Sequence, residues 1–385
     1  MYLFKNCEIY APDYLGKKDV LVGGQKILAI EDHLEVPSGW DIDVIDGTGL
    51  RMIPGLIDSH VHIAGAGGEG GPASRTPEMQ LSQMIKAGIT TVVGCLGTDG
   101  MTRSVESVLM KARGLKQEGV SAYIYTGAYQ IPTPTMLGDV GKDIAMIDEV
   151  IGTGEIALSD RRSSTPSVSE LIRLAVHSRI GGMLGNKAGI VNIHMGDAKN
   201  PFQPLYDAVE MSELTLKQFL PTHCNRNDHI FEDAKLYGKN GFVDLTTSSY
   251  PYFPEYENKP SKSIRELLKA WVPLSHITMS SDGCGSLPQF DENGNIVKLE
   301  TGSLVSMFEE LRDAVLTEDL ALEVVLQTVT SNVADILKIP SKGRIAVGKD
   351  ADLVLIDSDF RIIHLCAMGS LMLRDGQLLR KGYYE

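Results

Sequence analysis

The stretch Ile53-Pro54-Gly55-Leu56-Ile57-Asp58-Ser59-His60-Val61-His62 is an apolar run that stops at two histidines one residue apart. Alternate side chains of an extended backbone share a face, so His60 and His62 point the same way. Two imidazoles converging at a strand end are a natural beginning for a metal site. Gly65, Gly67, Gly68, Gly70 and Gly71 then hold a loop open instead of continuing a helix or sheet. The plainer alternative for an isolated pair is two polar residues at a strand terminus. Four more candidate ligands follow, however: Glu155, His194, His223 and Asp282. Imidazole nitrogens and carboxylate oxygens, with no thiolate required, suit zinc with an open coordination position.

Such residues need a scaffold that brings distant segments to one place. The middle of the chain alternates apolar strand candidates with amphipathic helical patterns. The strands fall at 53–58, 90–96, 121–127, 155–160, 189–195, 219–225, 241–248 and 276–282, with helices at, for example, 77–87, 102–118, 141–151, 167–180, 228–239 and 261–271. Eight β-then-α units predict a distorted (β/α)8 TIM barrel of the α/β class, a doubly wound open sheet being the alternative that strand count leaves open. Residues 1–52 and 342–385 instead read as short strands punctuated by glycine, aspartate and proline. They predict one small β domain built from both termini around a catalytic barrel over 53–341. In a barrel the strand ends carry the chemistry. His60, His62, His194, His223 and Asp282 fall there, on strands one, five, six and eight. Glu155 opens strand four and reaches that rim only if its strand begins earlier.

Composition narrows the partners. The 385 residues are 43% hydrophobic and 22% charged, ordinary for a globular enzyme. A net charge of −14 disfavours nucleic acid and anionic membrane, since both need a positive surface. The opening MYLFKNCEIYAP lacks the basic and apolar regions of a signal peptide, and no stretch reaches the length of a membrane span. Five scattered cysteines without a CxxC pair favour reduced thiols in a cytoplasmic protein.

PGLIDSHVH and the C-terminal GRIAVGKDADLVLID resemble hallmarks of the amidohydrolase superfamily. Within it, GAGGEGGPASRTPE, VVGCLGTD, YTGAYQIP, ALSDRRSS, NIHMGD, LPTHCNRN and MSSDGCGS resemble the isoaspartyl (β-aspartyl) dipeptidase family nearly end to end. The resemblance implies two zinc ions per subunit held by His60, His62, Glu155, His194, His223 and Asp282. It implies substrate contacts from Glu69, Thr98, Tyr129, Arg162, Arg226 and Ser286, and a homo-oligomer, for example an octamer. One departure stands out. Family members commonly bridge the two ions with a carboxylated lysine, whereas Thr153-Gly154-Glu155-Ile156-Ala157 offers Glu155. Its side chain is shorter by roughly 3–4 Å. Either the strand approaches the ions more closely or the ions shift.

The implied reaction is hydrolysis of the β-aspartyl bond of a dipeptide. A water bridging two ions would have its pKa lowered towards roughly 7 and so act as hydroxide. Tyr129 could donate to the carbonyl oxygen as it becomes an oxyanion, and Asp282 could carry the water's proton to the departing nitrogen. Such a substrate has one ammonium and two carboxylates. Glu69 suits the first, and the guanidinium groups of Arg162 and Arg226 suit the others. The alternative is another amidohydrolase: a cyclic amidase such as dihydroorotase or hydantoinase, or an N-acyl amino acid deacylase. A non-catalytic barrel is the reading from outside enzymology.

Overall fold

In a computed structural model the chain is described over residues 1–36, 38–291, 293 and 295–385. Eight parallel strands surround its centre: β1 (Leu56–Val61), β2 (Ile89–Gly94), β3 (Ser121–Thr126), β4 (Val150–Leu158), β5 (Ile190–Met195), β6 (Phe219–Thr222), β7 (Val243–Thr246) and β8 (Ile277–Ser280). Nearly every residue in them is buried, as expected of parallel strands covered on both faces. Strands β1 to β6 form one continuous ladder and β7 pairs with β8.

Two seams complete the ring without regular pairing. At the first, the His62 amide donates to the Gly283 carbonyl (2.9 Å) and the Asp282 amide to that of His60 (3.1 Å). Asp58 adds an acceptor for the Ser281 amide at 3.0 Å. At the second, the Cys224 amide donates to the Asp244 carbonyl (3.2 Å). There the Asn225 carboxamide also accepts from the Thr246 amide (2.8 Å) and donates to the Thr246 carbonyl (3.0 Å). The result is a distorted (β/α)8 barrel, and both seams lie beside candidate ligands.

Strand boundaries differ from expectation in two instructive places. Arg51–Pro54 pairs antiparallel with Leu353–Ile356, so β1 begins only at Leu56. Strand β4 begins at Val150 instead of 155, which moves Glu155 from the strand's start into its second half. The termini share a nine-stranded sheet among the described residues, in which Tyr2–Tyr10 and Arg51–Pro54 sit next to Leu353–Ile356 and Ile362–Ala367. It encloses its own apolar cluster, including Phe4, Ile9, Val20, Met52, Leu353 and Leu355. Buried Lys342 pins its last segment to the rest through Asp350 (3.0 Å) and Asp352 (2.6 Å). After β8 comes a hairpin, Ser286–Phe290 with Ile296–Thr301, beside the barrel mouth.

Candidate metal centre and substrate cavity

Six side chains expected to act together converge on one buried point. His60 Nε2 lies 3.3 Å from Glu155 Oε2 and 3.7 Å from Asp282 Oδ1. His62 Nε2 lies 3.7 Å and 3.1 Å from the same two oxygens. On the carboxylate's other side, Glu155 Oε1 is 2.5 Å from His194 Nδ1 and 3.2 Å from His223 Nε2. Zinc bonds of about 2.0–2.1 Å put the donors of one tetrahedral ion roughly 3.3 Å apart. The observed separations scatter around that value, so the donor set fits divalent cations on both sides of Glu155. Glu155 Oε2 and Asp282 Oδ1 are buried without a hydrogen-bond partner. A buried unpaired oxygen costs free energy that a bound cation would recover.

Local backbone explains how Glu155 reaches the centre. Thr153 pairs with Val191 and Ile156 with Ile193, so Gly154 and Glu155 together face Asn192 alone. Such a bulge re-aims a side chain and bends its strand. Gly154 is required there: its φ is +152°, and a β-carbon would stand 2.8 Å from the Asn192 carbonyl oxygen. His223 and Asp282 hold left-handed backbone, with φ of 61° and 54°. Non-glycine residues adopt this at a cost of roughly 1–2 kcal/mol, and such strain gathers where geometry is functional.

Three of the histidines have their outward nitrogen fixed. His60 Nδ1 pairs with Asn192 Oδ1 (2.9 Å), His223 Nδ1 with Thr246 Oγ1 (2.7 Å) and His194 Nε2 with Asp160 Oδ2 (3.1 Å). These contacts set ring orientation and leave the opposite nitrogen facing the centre. Sequence reasoning missed all three partners. Asn192 and Asp160 sit two residues from a β5 or β4 landmark, but a single polar residue carries no periodic signal. Cys95 was also missed. It follows β2, and its Sγ lies 3.7 Å from His60 Nε2.

Above the centre opens a cavity of about 540 Å³. Glu69, Thr98, Tyr129, Arg162, Arg226 and Ser286 all line it. Thr98 Oγ1 donates to Glu69 Oε1 (3.0 Å), while Glu69 Oε2 is buried and unpartnered. Arg162 is already engaged. Its Nε and Nη2 donate to the two Asp160 oxygens, each at 3.0 Å, and its Nη1 stands 3.5 Å from Glu69. Arg226 donates to the Met195 carbonyl (3.1 Å) and is the more exposed of the two. Tyr129 places its hydroxyl 2.8 Å from His194 Nδ1, at the cavity floor. Ser286 Oγ has no partner.

The electrostatics follow from this packing. Burial raises the Tyr129 hydroxyl far above its usual value, which keeps it a proton donor. Burial would also raise Glu155 and Asp282, but the surrounding imidazoles outweigh it and hold both carboxyls below their usual range. Burial, with the charges of His194 and Arg226, pushes His223 down to about 3, leaving it neutral as a ligand must be. His60 and His62 behave oppositely. Burial lowers them, yet Cys95 and Glu155 raise His60, and Cys95 and Asp282 raise His62, well above the ordinary value. The acidic side of the centre demands positive charge, and a metal ion entering it would displace protons.

Comparison with known proteins places this geometry. Residues 223–372 match the Amidohydrolase family. The β-aspartyl dipeptidase of the thermophilic, keratin-degrading Fervidobacterium islandicum AW-1, solved in complex with β-Asp-Leu, is 41% identical, with a TM-score of 0.92 over 98% of this chain and 97% of that one. The chain belongs to the amidohydrolase family. A second structure of the Fervidobacterium dipeptidase is 39% identical, with a TM-score of 0.88 and 98% of each chain covered. A dihydroorotase from Desulforapulum autotrophicum is 25% identical over 400 residues, covering 92% of this amidohydrolase and 89% of its own length. The likeness to the dipeptidases expected from segments such as NIHMGD and LPTHCNRN therefore extends over the whole fold.

Proposed function

We propose that this amidohydrolase cleaves the β-aspartyl bond of dipeptides at a two-zinc centre. One observation carries the reading: a buried, unsatisfied Glu69 oxygen and two guanidinium groups share one cavity with His62, His194, His223 and Asp282 of the ligand cluster. That pattern offers one cation site and two anion sites around a hydrolytic centre. A β-aspartyl dipeptide carries one ammonium and two carboxylates, whereas a cyclic amide has no free ammonium for Glu69. The β-Asp-Leu bound to the Fervidobacterium relative supports the same choice.

His60, His62, Glu155 and Asp282 would hold one zinc ion and His194 and His223 the other, with Glu155 shared between them as the stand-in for a carboxylated lysine. Zinc bound there would polarise the scissile carbonyl and acidify a water. The chain's own groups do the rest. Glu69 Oε2 receives the substrate ammonium. Arg226, the freer guanidinium, clamps a carboxylate, while Arg162 is oriented by Asp160 to meet the second. Tyr129, kept protonated by burial, donates to the carbonyl oxygen as negative charge grows on it. Asp282, kept ionised, accepts the water's proton and returns it to the departing amine.

The discriminating assay compares β-Asp-Leu, α-Asp-Leu and dihydroorotate. Turnover of the first alone is expected; turnover of dihydroorotate without β-Asp-Leu would overturn the proposal in favour of a cyclic amidase. Arg226→Ala should raise KM for β-Asp-Leu by roughly 10–100-fold, the worth of a charge-assisted hydrogen bond of about 1.5–3 kcal/mol. Metal content should not change in that variant. Zinc lost in parallel would show that Arg226 serves the metal centre instead.

A further inference from the structure

Cys95 takes no part in the ligand set just described, yet it stands at its edge. Its Sγ is fully buried, 3.7 Å from His60 Nε2 and 3.8 Å from His62 Nδ1. Its amide donates to the Val61 carbonyl (3.1 Å), which docks the end of β2 against the histidine-bearing end of β1. One ligand atom each from His60, His62, Cys95 and Glu155 lies within 4.8 Å of the others. With zinc–sulfur bonds near 2.3 Å and zinc–nitrogen bonds of 2.0–2.1 Å, sulfur and nitrogen on one tetrahedral ion stand roughly 3.5 Å apart, close to the 3.7 Å found to His60 Nε2; the His62 contact is to Nδ1, whereas its Nε2 faces the carboxylates. The cluster also contains Glu155 Oε2, a buried oxygen with no hydrogen-bond partner. Both thiols also donate to a carbonyl, Cys95 Sγ to Val61 at 3.7 Å and Cys224 Sγ to Pro221 at 3.3 Å, but Cys224 belongs to no such cluster.

We propose that Cys95 is a thiolate ligand of the metal ion held by His60, His62, Glu155 and Asp282, giving that ion five protein donors. The inference rests on the metal-centre reading above and adds a residue to it. On binding, the sulfur–hydrogen bond breaks, the proton leaves to solvent and the sulfur–metal bond forms. A thiolate selects for zinc, cobalt or cadmium over the oxygen-seeking magnesium and manganese ions. Cys95 would thus set which metal occupies the first position.

Cobalt substitution tests this directly. The full-length protein is stripped with chelator, reloaded with Co²⁺ and read by near-ultraviolet absorption for thiolate-to-cobalt charge transfer, with cobalt stoichiometry measured in parallel. The wild type should show the band, Cys95→Ser and Cys95→Ala should lose it while the fold persists by circular dichroism, and Cys224→Ala should keep it. Should both Cys95 variants misfold, ¹¹³Cd resonance of the cadmium-loaded wild type decides, with a sulfur-type shift expected. Two cobalt ions bound without a charge-transfer band would overturn the thiolate assignment and leave the hydrolase reading standing. Failure to bind any cobalt would overturn both.

Discussion

Asp282→Asn should lower turnover of β-Asp-Leu by about 10²–10⁴-fold, the usual contribution of a positioned proton-transfer group. The carboxylate stands 3.1 Å from His62 Nε2 at the floor of the cavity and is held ionised despite burial. Asparagine keeps its shape and removes both the negative charge and the capacity to accept a proton. The backbone should tolerate the change. Residue 282 has a φ of 54°, and asparagine is among the residues that enter the left-handed region most readily. The contacts closing the barrel there, the Asp282 amide to the His60 carbonyl and the Gly285 amide to the Asp282 carbonyl, use main-chain atoms. Circular dichroism should therefore match the parent. Wild-type-like turnover would refute the proton-transfer role.

Glu155→Gln should release at least one metal ion and abolish hydrolysis. Glu155 is fully buried, and its two oxygens face different pairs of histidines. Glutamine would present a neutral oxygen to one pair and an amide to the other, and an amide nitrogen cannot bind a cation. Metal analysis after extensive dialysis should find at most one equivalent, against two for the parent. Retention of two equivalents with activity intact would show that Glu155 does not hold the ions together.

Much of this arrangement is legible in the residues alone. Runs such as Thr90–Leu96 and Gly189–Met195 are apolar enough to mark buried parallel strands, and a barrel brings their ends to one rim. The start of β4 was hidden because Gly152 and Gly154 look like turn residues. They are packing glycines: a β-carbon at 152 would lie 2.5 Å from the Ile190 carbonyl oxygen, and one at 154 would meet Asn192. The pairing of Ser286–Phe290 with Ile296–Thr301 was overlooked, since the second of these strands alternates half-buried and exposed residues with little apolar content. Asp160, Asn192 and Thr246 act through single hydrogen bonds to imidazoles, which no sequence period announces. Cys95 could have been inferred from adjacency, because β2 neighbours β1 and its end lies level with His60.

Diffraction from crystals of the protein grown with zinc, recorded on both sides of the zinc absorption edge, tests the centre most directly. The account requires two anomalous peaks flanking the Glu155 carboxylate, one beside His60 and His62 and the other beside His194 and His223. A Glu155 side chain turned away from the histidines, or no peak at either position, would contradict it.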